Sequence, residues 1–257
     1  MNLDEITPLI ITLDEATNIR RTLDKLIWAK QIIVVDSGST DGTIEILQTY
    51  GQVEILHRLF TDFADQCNFG VTHVRTPWVL SLDADYELSD SLVAELKSLE
   101  PSGTTAGYAA RFIYRIYGRP LRASLYPSRT VLYRRMTAKY QNEGHGHRVV
   151  VDGLISSLSA PIYHDDRKPL ARWFASQQRY AQKEAEYLLS ANRADLSKMD
   201  RIRLAAWPAP LLVLVYTLLI KQCVLDGWPG WAYALQRTLA ETLIALELVD
   251  RRLAGSR

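Results

Sequence analysis

Acidic residues stand directly behind three apolar runs of this 257-residue chain. Asp14 and Glu15 follow residues 8–12. Asp36 closes residues 31–36, with Ser37, Ser39 and Asp41 behind it. Asp83 and Asp85 follow residues 78–82. Carboxylates gathered at one edge repel each other unless a cation or hydrogen-bond donors neutralise them. A hard divalent ion bridging to a diphosphate does so with one or two protein carboxylates, phosphate and water completing its shell. Asp83-Ala84-Asp85 is the sharpest feature. Alternation along a strand end points both acids the same way, one able to hydrogen-bond a ribose and the other to ligate a metal. The competing reading is that both acids only cap the helix expected at residues 89–99.

The elements that must position these acids follow from the pattern. Four short apolar runs, at residues 8–12, 31–36, 53–56 and 78–82, read as strands. Helical patterns separate them. One starts at Thr17 with Ile19, Leu23, Leu26 and Ile27 on one face, one is capped by Thr40 or Asp41, and one covers residues 62–74. Alternation of this kind predicts an α/β fold, a mostly parallel sheet with helices on both faces, and ligands bind such sheets at the carboxyl ends of the strands. Beyond Pro101 the pattern changes: residues 106–163 read as short strands and loops. Pro169 then takes the first position of a long helix running to about Ser190.

Composition narrows the function classes. The apolar fraction is 47% and the charged fraction 23%, ordinary for a folded protein, so disordered and collagen-like chains are excluded. Two cysteines without metal-ligand spacing argue against a zinc site or disulfide framework. The first residues lack the basic and apolar regions of a signal peptide. The net charge of +1 hides an asymmetry. Residues 1–103 hold 17 acidic and 7 basic side chains, whereas residues 104–160 hold 9 basic and 2 acidic. That division suits a cation on one side and phosphates on the other, or else two solvated faces. Nucleic acid is disfavoured, because no binding motif accompanies the short basic stretch.

The motifs resemble those of a known family. Thr12-Leu-Asp-Glu-Ala-Thr-Asn-Ile19 is similar to the opening motif of inverting glycosyltransferases of family 2, with a departure at Leu13-Asp14. Val35-Asp-Ser-Gly-Ser-Thr-Asp-Gly-Thr43 resembles their second motif, and Leu82-Asp-Ala-Asp85 their Asp-x-Asp motif. The resemblance covers residues 7–100. The remainder is similar to a subgroup related to bacterial lipopolysaccharide-core and exopolysaccharide glucosyltransferases, through residues 129–135, Gly144-His145 and residues 163–168.

The resemblance implies the GT-A fold and a nucleotide-diphosphate-sugar donor, with a UDP-sugar favoured. It places Asp36 at the base, Glu15 near the ribose, and Asp83 at the ribose or metal. Asp85 then ligates Mg²⁺ or Mn²⁺, and Thr12, Ser39 and Arg129 join the donor site. His164 resembles the C-terminal histidine that ligates the metal or contacts the diphosphate, or it is a strand-end histidine paired with Asp165. Inverting transfer needs a base for the acceptor hydroxyl. Tyr86 stands where related enzymes often carry Glu, so that position cannot serve. Glu143, the one acid between Glu100 and Asp152, is the candidate base, or a solvated loop acid. His145, His147, Arg119 and Arg122 are candidate acceptor or phosphate contacts, against plain structural or surface roles.

The C-terminal part carries a different signal. Residues 204–220 hold no charge, but Pro208 and Pro210 leave only residues 211–220 as a straight run. Ten helical residues reach about 15 Å, half of a hydrocarbon core of about 30 Å, so the segment should not span a bilayer. Trp207, Tyr216, Trp228 and Trp231 surround it as an interfacial belt would, and Arg201, Arg203 and Lys221 flank it. A helix at about residues 231–253 follows, with Leu235, Leu239, Leu243, Leu246 and Leu253 along one face. These features suit a membrane-surface segment; the alternatives are a buried hairpin or a dimer interface.

The expected organisation is a catalytic domain at residues 1–168, with a donor half at 1–100 and an acceptor half at 101–168, then a helical membrane-surface region at 169–257. The expected function is metal-dependent glycosyl transfer to a lipid-linked glycan, polyprenyl-phosphate or lipopolysaccharide-core acceptor at the cytoplasmic face of a bacterial inner membrane. The alternatives are an inactive scaffold of the same fold or a nucleotidyltransferase.

Overall fold

The computed structural model describes residues 1–143 and 146–255; the side chains of residues 143, 146 and 147 lie outside that description. The chain forms two compact units. One comprises Met1–Arg115 and Tyr126–Arg167, the other Ile116–Leu125 and the chain from Lys168 onward. Residues 116–125 therefore go with the helical unit.

The first unit is built on β1 (Ile6–Thr12), β2 (Ile32–Asp36), β3 (Val53–His57) and β4 (Trp78–Asp83), all parallel, in the order β3-β2-β1-β4. The apolar runs of β1, β2 and β4 are buried on both faces, which is why they read as continuous rather than alternating, whereas β3 at the sheet edge is only half-buried. The helices α1 (Ile19–Asp24), α2 (Thr43–Leu47) and α3 (Phe63–His73) make the connections. Ile10 and Val34 face one core cluster with Ile19, Leu23 and Leu47. Leu9 and Val35 face a second cluster with Ala64 and Cys67 of α3. Gly70 of α3 lies so close to the sheet that a Cβ there would stand 2.4 Å from Leu9 Cδ1.

Past β4 come β5 (Tyr86–Leu88), α4 (Asp90–Ser98), β6 (Thr105–Ala110) and β7 (Phe112–Ile116), then the two-residue β8 (Arg119–Pro120) of the helical unit. The first unit resumes with β9 (Arg129–Arg134), β10 (Ala138–Glu143), β11 (Gly146–Val151), β12 (Leu154–Ser157) and β13 (Ile162–His164). The main sheet has seven strands, extended beyond β4 by β9, β6 and β12, and only β9 runs against the rest. A mixed α/β, mostly parallel sheet is what the alternation implied. β10 and β11 form an antiparallel hairpin, and β13 lies between β5 and β7.

Several local expectations need correction. α1 stops at Asp24, because Lys25 caps it and a turn follows, so Leu26 enters the core while Ile27 is 72% exposed. Gly42, with φ 94°, takes the N-cap of α2, and Asp41 accepts from the Thr43 N–H beside it. Pro169 is extended and caps α5 (Leu170–Ser190) from outside, rather than being its first residue. The two prolines start a helix instead of interrupting one. Pro208 and Pro210 lie in the first turn of α7 (Pro208–Val215), where backbone N–H groups have no intrahelical acceptor anyway. A π-helical turn, Tyr216–Ile220, continues it.

In the helical unit, α6 (Lys198–Leu204) and α8 (Trp228–Gly255) complete the set. Ala185 and Leu188 of α5, Leu196 and Leu248 of α8 make a small core. Arg203 is clamped bidentately by Glu241, at 2.9 and 2.7 Å, and reaches Glu184 at 3.3 Å. The buried face of α8 carries Tyr233, Ala234, Glu241 and Leu248, whereas Leu235, Leu246 and Leu253 stay exposed. Trp207 is 74% and Trp228 85% exposed, with Tyr216 and Trp231 less so. Among the described residues no helix is long and apolar enough to cross a membrane.

Candidate active site

Two loops at the ends of β1 and β2 are latched by side chains of the second motif. The backbone N–H groups of Asp14, Glu15 and Ala16 donate in turn to Ser39 Oγ at 2.7 Å, Thr43 Oγ1 at 2.7 Å and Asp41 Oδ2 at 3.1 Å. Asp14 returns the contact, accepting from the Thr40 N–H at 2.7 Å, and does so from a left-handed backbone with φ 53°. Asp36 is buried. It accepts from the Gly38 and Ser39 N–H groups and from Ser39 Oγ, which shapes the loop. Burial alone would raise the Asp41 carboxyl, but hydrogen bonds from Thr43 and Ala16 hold it below its ordinary value. Thr12, in register with Asp36 on the neighbouring strand, has a buried Oγ1 with no hydrogen-bond partner. The latch leaves Glu15 in place, its carboxylate accepting from Asn18 Nδ2 at 2.9 Å.

The Asp-x-Asp pair lies at the next strand end. Asp83 is the last residue of β4, and Asp85 sits in the turn before β5. β13 returns beside β5, so His164, remote in sequence, reaches Asp85: Nε2 and Oδ2 are 3.1 Å apart. The imidazole is enclosed by the rings of Tyr86, Tyr114 and Tyr126, and its Nδ1 is buried without a partner. Burial works against the charged ring, but the Asp85 carboxylate more than offsets it, so His164 titrates above its ordinary value. Burial and then the Asp83 charge push the Tyr86 phenol well up, so it remains a neutral hydroxyl, bonded to that of Tyr126.

A second ring of charge braces this corner. The Asp165 N–H donates to the Asp85 carbonyl, and Asp165 Oδ2 receives Arg21 at 3.1 Å and Arg167 at 2.7 Å. Asn18 bridges Glu15 to Asp166, and Arg21 reaches Glu87 at 2.6 Å. His164 thus pairs with Asp85, while Asp165 serves the arginines. Sequence reasoning gave no role to Asn18, Arg21 or Arg167. The signals available were the presence of Asn18 within the opening motif and of Arg167 within residues 163–168.

Asp83 also opens onto a cavity of about 450 Å³ lined by Ser81, Tyr86, Phe112, Arg129, Tyr140 and Arg148 among others. Arg129 stacks on Tyr126 with its guanidinium carbon 4.9 Å from the ring centre. Tyr140 donates to Ser81 Oγ at 2.7 Å, fixing the wall. The structure therefore brings together Thr12, Glu15, Asp36 and Ser39 at one pair of loops, and Asp83, Asp85, His164 and Arg129 around the next strand end. Arg119 and Arg122 are not part of this unit. Arg122 holds Asp226 in the other one, through its N–H at 3.0 Å and its Nε at 3.3 Å. Glu143 and His147 face each other's neighbours across the β10–β11 hairpin, but their side chains, and all of His145, lie outside the described residues.

A comparison with family models matches residues 9–154 to glycosyl transferase family 2. The chain belongs to that family. This family 2 glycosyltransferase is 28% identical over 216 residues to an uncharacterized glycosyltransferase of Rickettsia bellii, covering 78% of this chain and 72% of that one. It is 30% identical over 91 residues to the lipopolysaccharide core biosynthesis glycosyltransferase LpsC of Rhizobium meliloti, covering 34% of each. Among solved structures, the mannosyltransferase PcManGT from Pyrobaculum calidifontis, in complex with GDP-Man and Mn²⁺, superposes with a TM-score of 0.54 at 16% identity. That match covers 98% of this chain and 88% of the other. The fold of this glycosyltransferase is GT-A-like.

A divalent ion can be tested against the residues of this enzyme. Among the described residues no three His, Cys, Asp or Glu side chains converge as a complete protein site. Asp85 Oδ2 and His164 Nε2 do converge at 3.1 Å across a hydrogen bond, and an ion that displaced the bridging proton would find them spaced as adjacent ligands of an octahedral shell. Ligands at about 2.1 Å lie about 3 Å apart along such an edge. The pair fits a partial shell that substrate oxygens and water would complete.

Proposed function

We propose that this enzyme is a metal-dependent, inverting hexosyltransferase. Its donor is a nucleotide-diphosphate sugar, a UDP-sugar by preference. Its acceptor is a lipid-linked glycan, polyprenyl phosphate or lipopolysaccharide core at the cytoplasmic face of the inner membrane. The observation that carries the reading is the Asp85–His164 pair beside Asp83, at the strand end where such sheets bind ligands. The regional likeness to LpsC supports the acceptor class, and the exposed tryptophans of the helical unit support a membrane-surface location. The mannosyltransferase of the same fold binds GDP-Man and Mn²⁺, the donor and metal classes proposed here.

In this reading Glu15 and Asp36 lie at the nucleoside, and the partnerless Thr12 hydroxyl is available to the donor. Asp85 and His164 would hold the ion, which would supply positive charge to the departing diphosphate. Asp83 and Arg129 flank the sugar position at the cavity. The acceptor oxygen forms its bond to the anomeric carbon as the carbon–oxygen bond to the diphosphate breaks. Where the acceptor is a sugar hydroxyl, its proton passes to a base, for which Glu143 is the candidate. The direct test is thermal stabilisation by UDP, GDP, dTDP and CMP, with and without Mn²⁺ or Mg²⁺. A shift for one diphosphate that needs metal and disappears in Asp85→Ala supports the reading. No shift with folded protein under any condition refutes it.

A further inference from the structure

The β10–β11 hairpin is a two-stranded sheet of its own, with no ladder to the main sheet among the described residues. It nevertheless supplies part of the cavity at Asp83, through Tyr140 of β10 and Arg148 and Val149 of β11. Ser81 and Asp83 line the same cavity from β4, where alternation puts both on one face.

Apolar packing accounts for part of the hairpin's placement. Tyr140 is buried in the cluster of Leu9, Val35, Ala64 and Cys67, against which Ala138, Val149 and Val151 also pack. Packing of this kind is non-directional, so it sets the distance between layers and leaves their slide open. Directional bonds must set the slide, and Asn68 of α3 makes two. Its Oδ1 accepts from the Tyr140 N–H at 2.9 Å, and its Nδ2 donates to the Tyr140 carbonyl at 3.0 Å. In an antiparallel ladder, alternate residues turn both polar groups away from the partner strand. A carboxamide, with one donor and one acceptor side by side, matches such a residue, and the match fixes which amide atom is the oxygen. Leucine would serve the packing equally well; the amide serves the register.

The ring of Tyr140 carries that register to the cavity. Tyr133 donates to the Tyr140 hydroxyl at 3.1 Å, and Tyr140 donates to Ser81 Oγ at 2.7 Å. Burial raises both phenols, so both stay neutral donors. Ser81, used here as an acceptor, keeps its own proton to donate at the lining of the cavity. We propose that Asn68 is a positioning residue for sugar selectivity: by fixing the Tyr140 backbone it sets the hairpin wall and the Ser81 hydroxyl at the spacing that tells one donor sugar from its epimer. The inference rests on the donor site proposed above and assigns its selectivity.

The test is titration calorimetry of the full chain with UDP, UDP-glucose and UDP-galactose in the presence of Mn²⁺. GDP, GDP-glucose and GDP-mannose replace them if the parent prefers guanine. One hydrogen bond to a sugar hydroxyl is worth about fivefold in affinity, so the parent should separate the epimers by about that ratio. In Asn68→Leu the ratio is expected to fall close to one, while the Kd for the bare diphosphate stays within about twofold of the parent. Asn68→Asp has the same shape and keeps the bond from the Tyr140 N–H; it should lower the ratio in the same direction, and serves if Asn68→Leu melts far below the parent. Discrimination retained in both variants would overturn the inference. Loss of diphosphate affinity in step with sugar-nucleotide affinity would do so too, since that is what a plain folding role gives. A parent that binds the diphosphate with metal but treats the epimers alike would overturn the inference and leave the function proposed above standing. A parent that binds no nucleoside diphosphate would remove both.

Discussion

Thr43→Val tests whether the second motif builds the site or merely surrounds it. Thr43 is fully buried; its hydroxyl accepts from the Glu15 N–H at 2.7 Å and donates to Asp41 at 2.5 Å. Valine has nearly the same shape, so no cavity opens, but both bonds are lost. Leaving the buried Glu15 N–H unsatisfied costs about 1–3 kcal/mol. The Asp41 carboxylate is exposed and returns to water, so its share is about 1 kcal/mol or less. A total near 3 kcal/mol lowers the melting temperature by roughly 6–12 °C in a chain of this size. Calorimetry measures it, with Thr43→Ser as the control that keeps the hydroxyl.

The effect should also depend on pH. The Asp41 carboxyl is held below 3.8, so its contribution is full above that pH and declines as pH falls through the folded value. The gap between Thr43→Val and the parent should therefore narrow in acid below pH 3.8. A Thr43→Val protein within about 0.5 kcal/mol of the parent at neutral pH would refute the latch, since that is the ordinary range of an inconsequential change.

Two further outcomes concern the helical unit. Arg203→Met leaves Glu241, only 3% exposed, without its bidentate partner; a loss of about 3–5 kcal/mol is expected by chemical denaturation. Gly230→Ala places a Cβ 1.8 Å from the Cys223 carbonyl oxygen, a backbone atom that cannot rotate away. That variant should lose more than about 3 kcal/mol, as overpacking at its upper end does, and limited proteolysis should cut the helical unit first.

The sequence by itself determined the parallel half of the sheet and the acids at its edge. Runs such as residues 31–36 are too apolar to lie anywhere but inside, and their polar ends must then emerge where each strand stops. Asp36, Asp83 and Asp85 stood out for that reason. Ser89 was legible as a helix cap because capping is a contact three residues long, to the Leu92 N–H. The α8 leucine stripe was legible as a stripe, but not as the less buried face, with Leu235, Leu246 and Leu253 exposed and Leu239 and Leu243 half-buried. Tyr233, Ala234 and Leu248 form the face that packs, and helical period alone does not rank two apolar faces.

Tertiary structure decided what those residues touch. His164 meets Asp85 only because β13 inserts between β5 and β7, a pairing that joins positions 79 residues apart. The choice of Asp165 for Arg21 and Arg167 was likewise invisible, since Asp165 and Asp166 are chemically identical and only burial tells them apart. The prolines at 208 and 210 looked like interruptions because a proline's cost depends on which turn it occupies. In the first turn it removes no hydrogen bond, and only the fold shows where that turn begins. Periodicity and composition act over a few residues and so survive in the sequence. Contacts between distant strands, and the choice between equivalent side chains, depend on how the chain closes on itself.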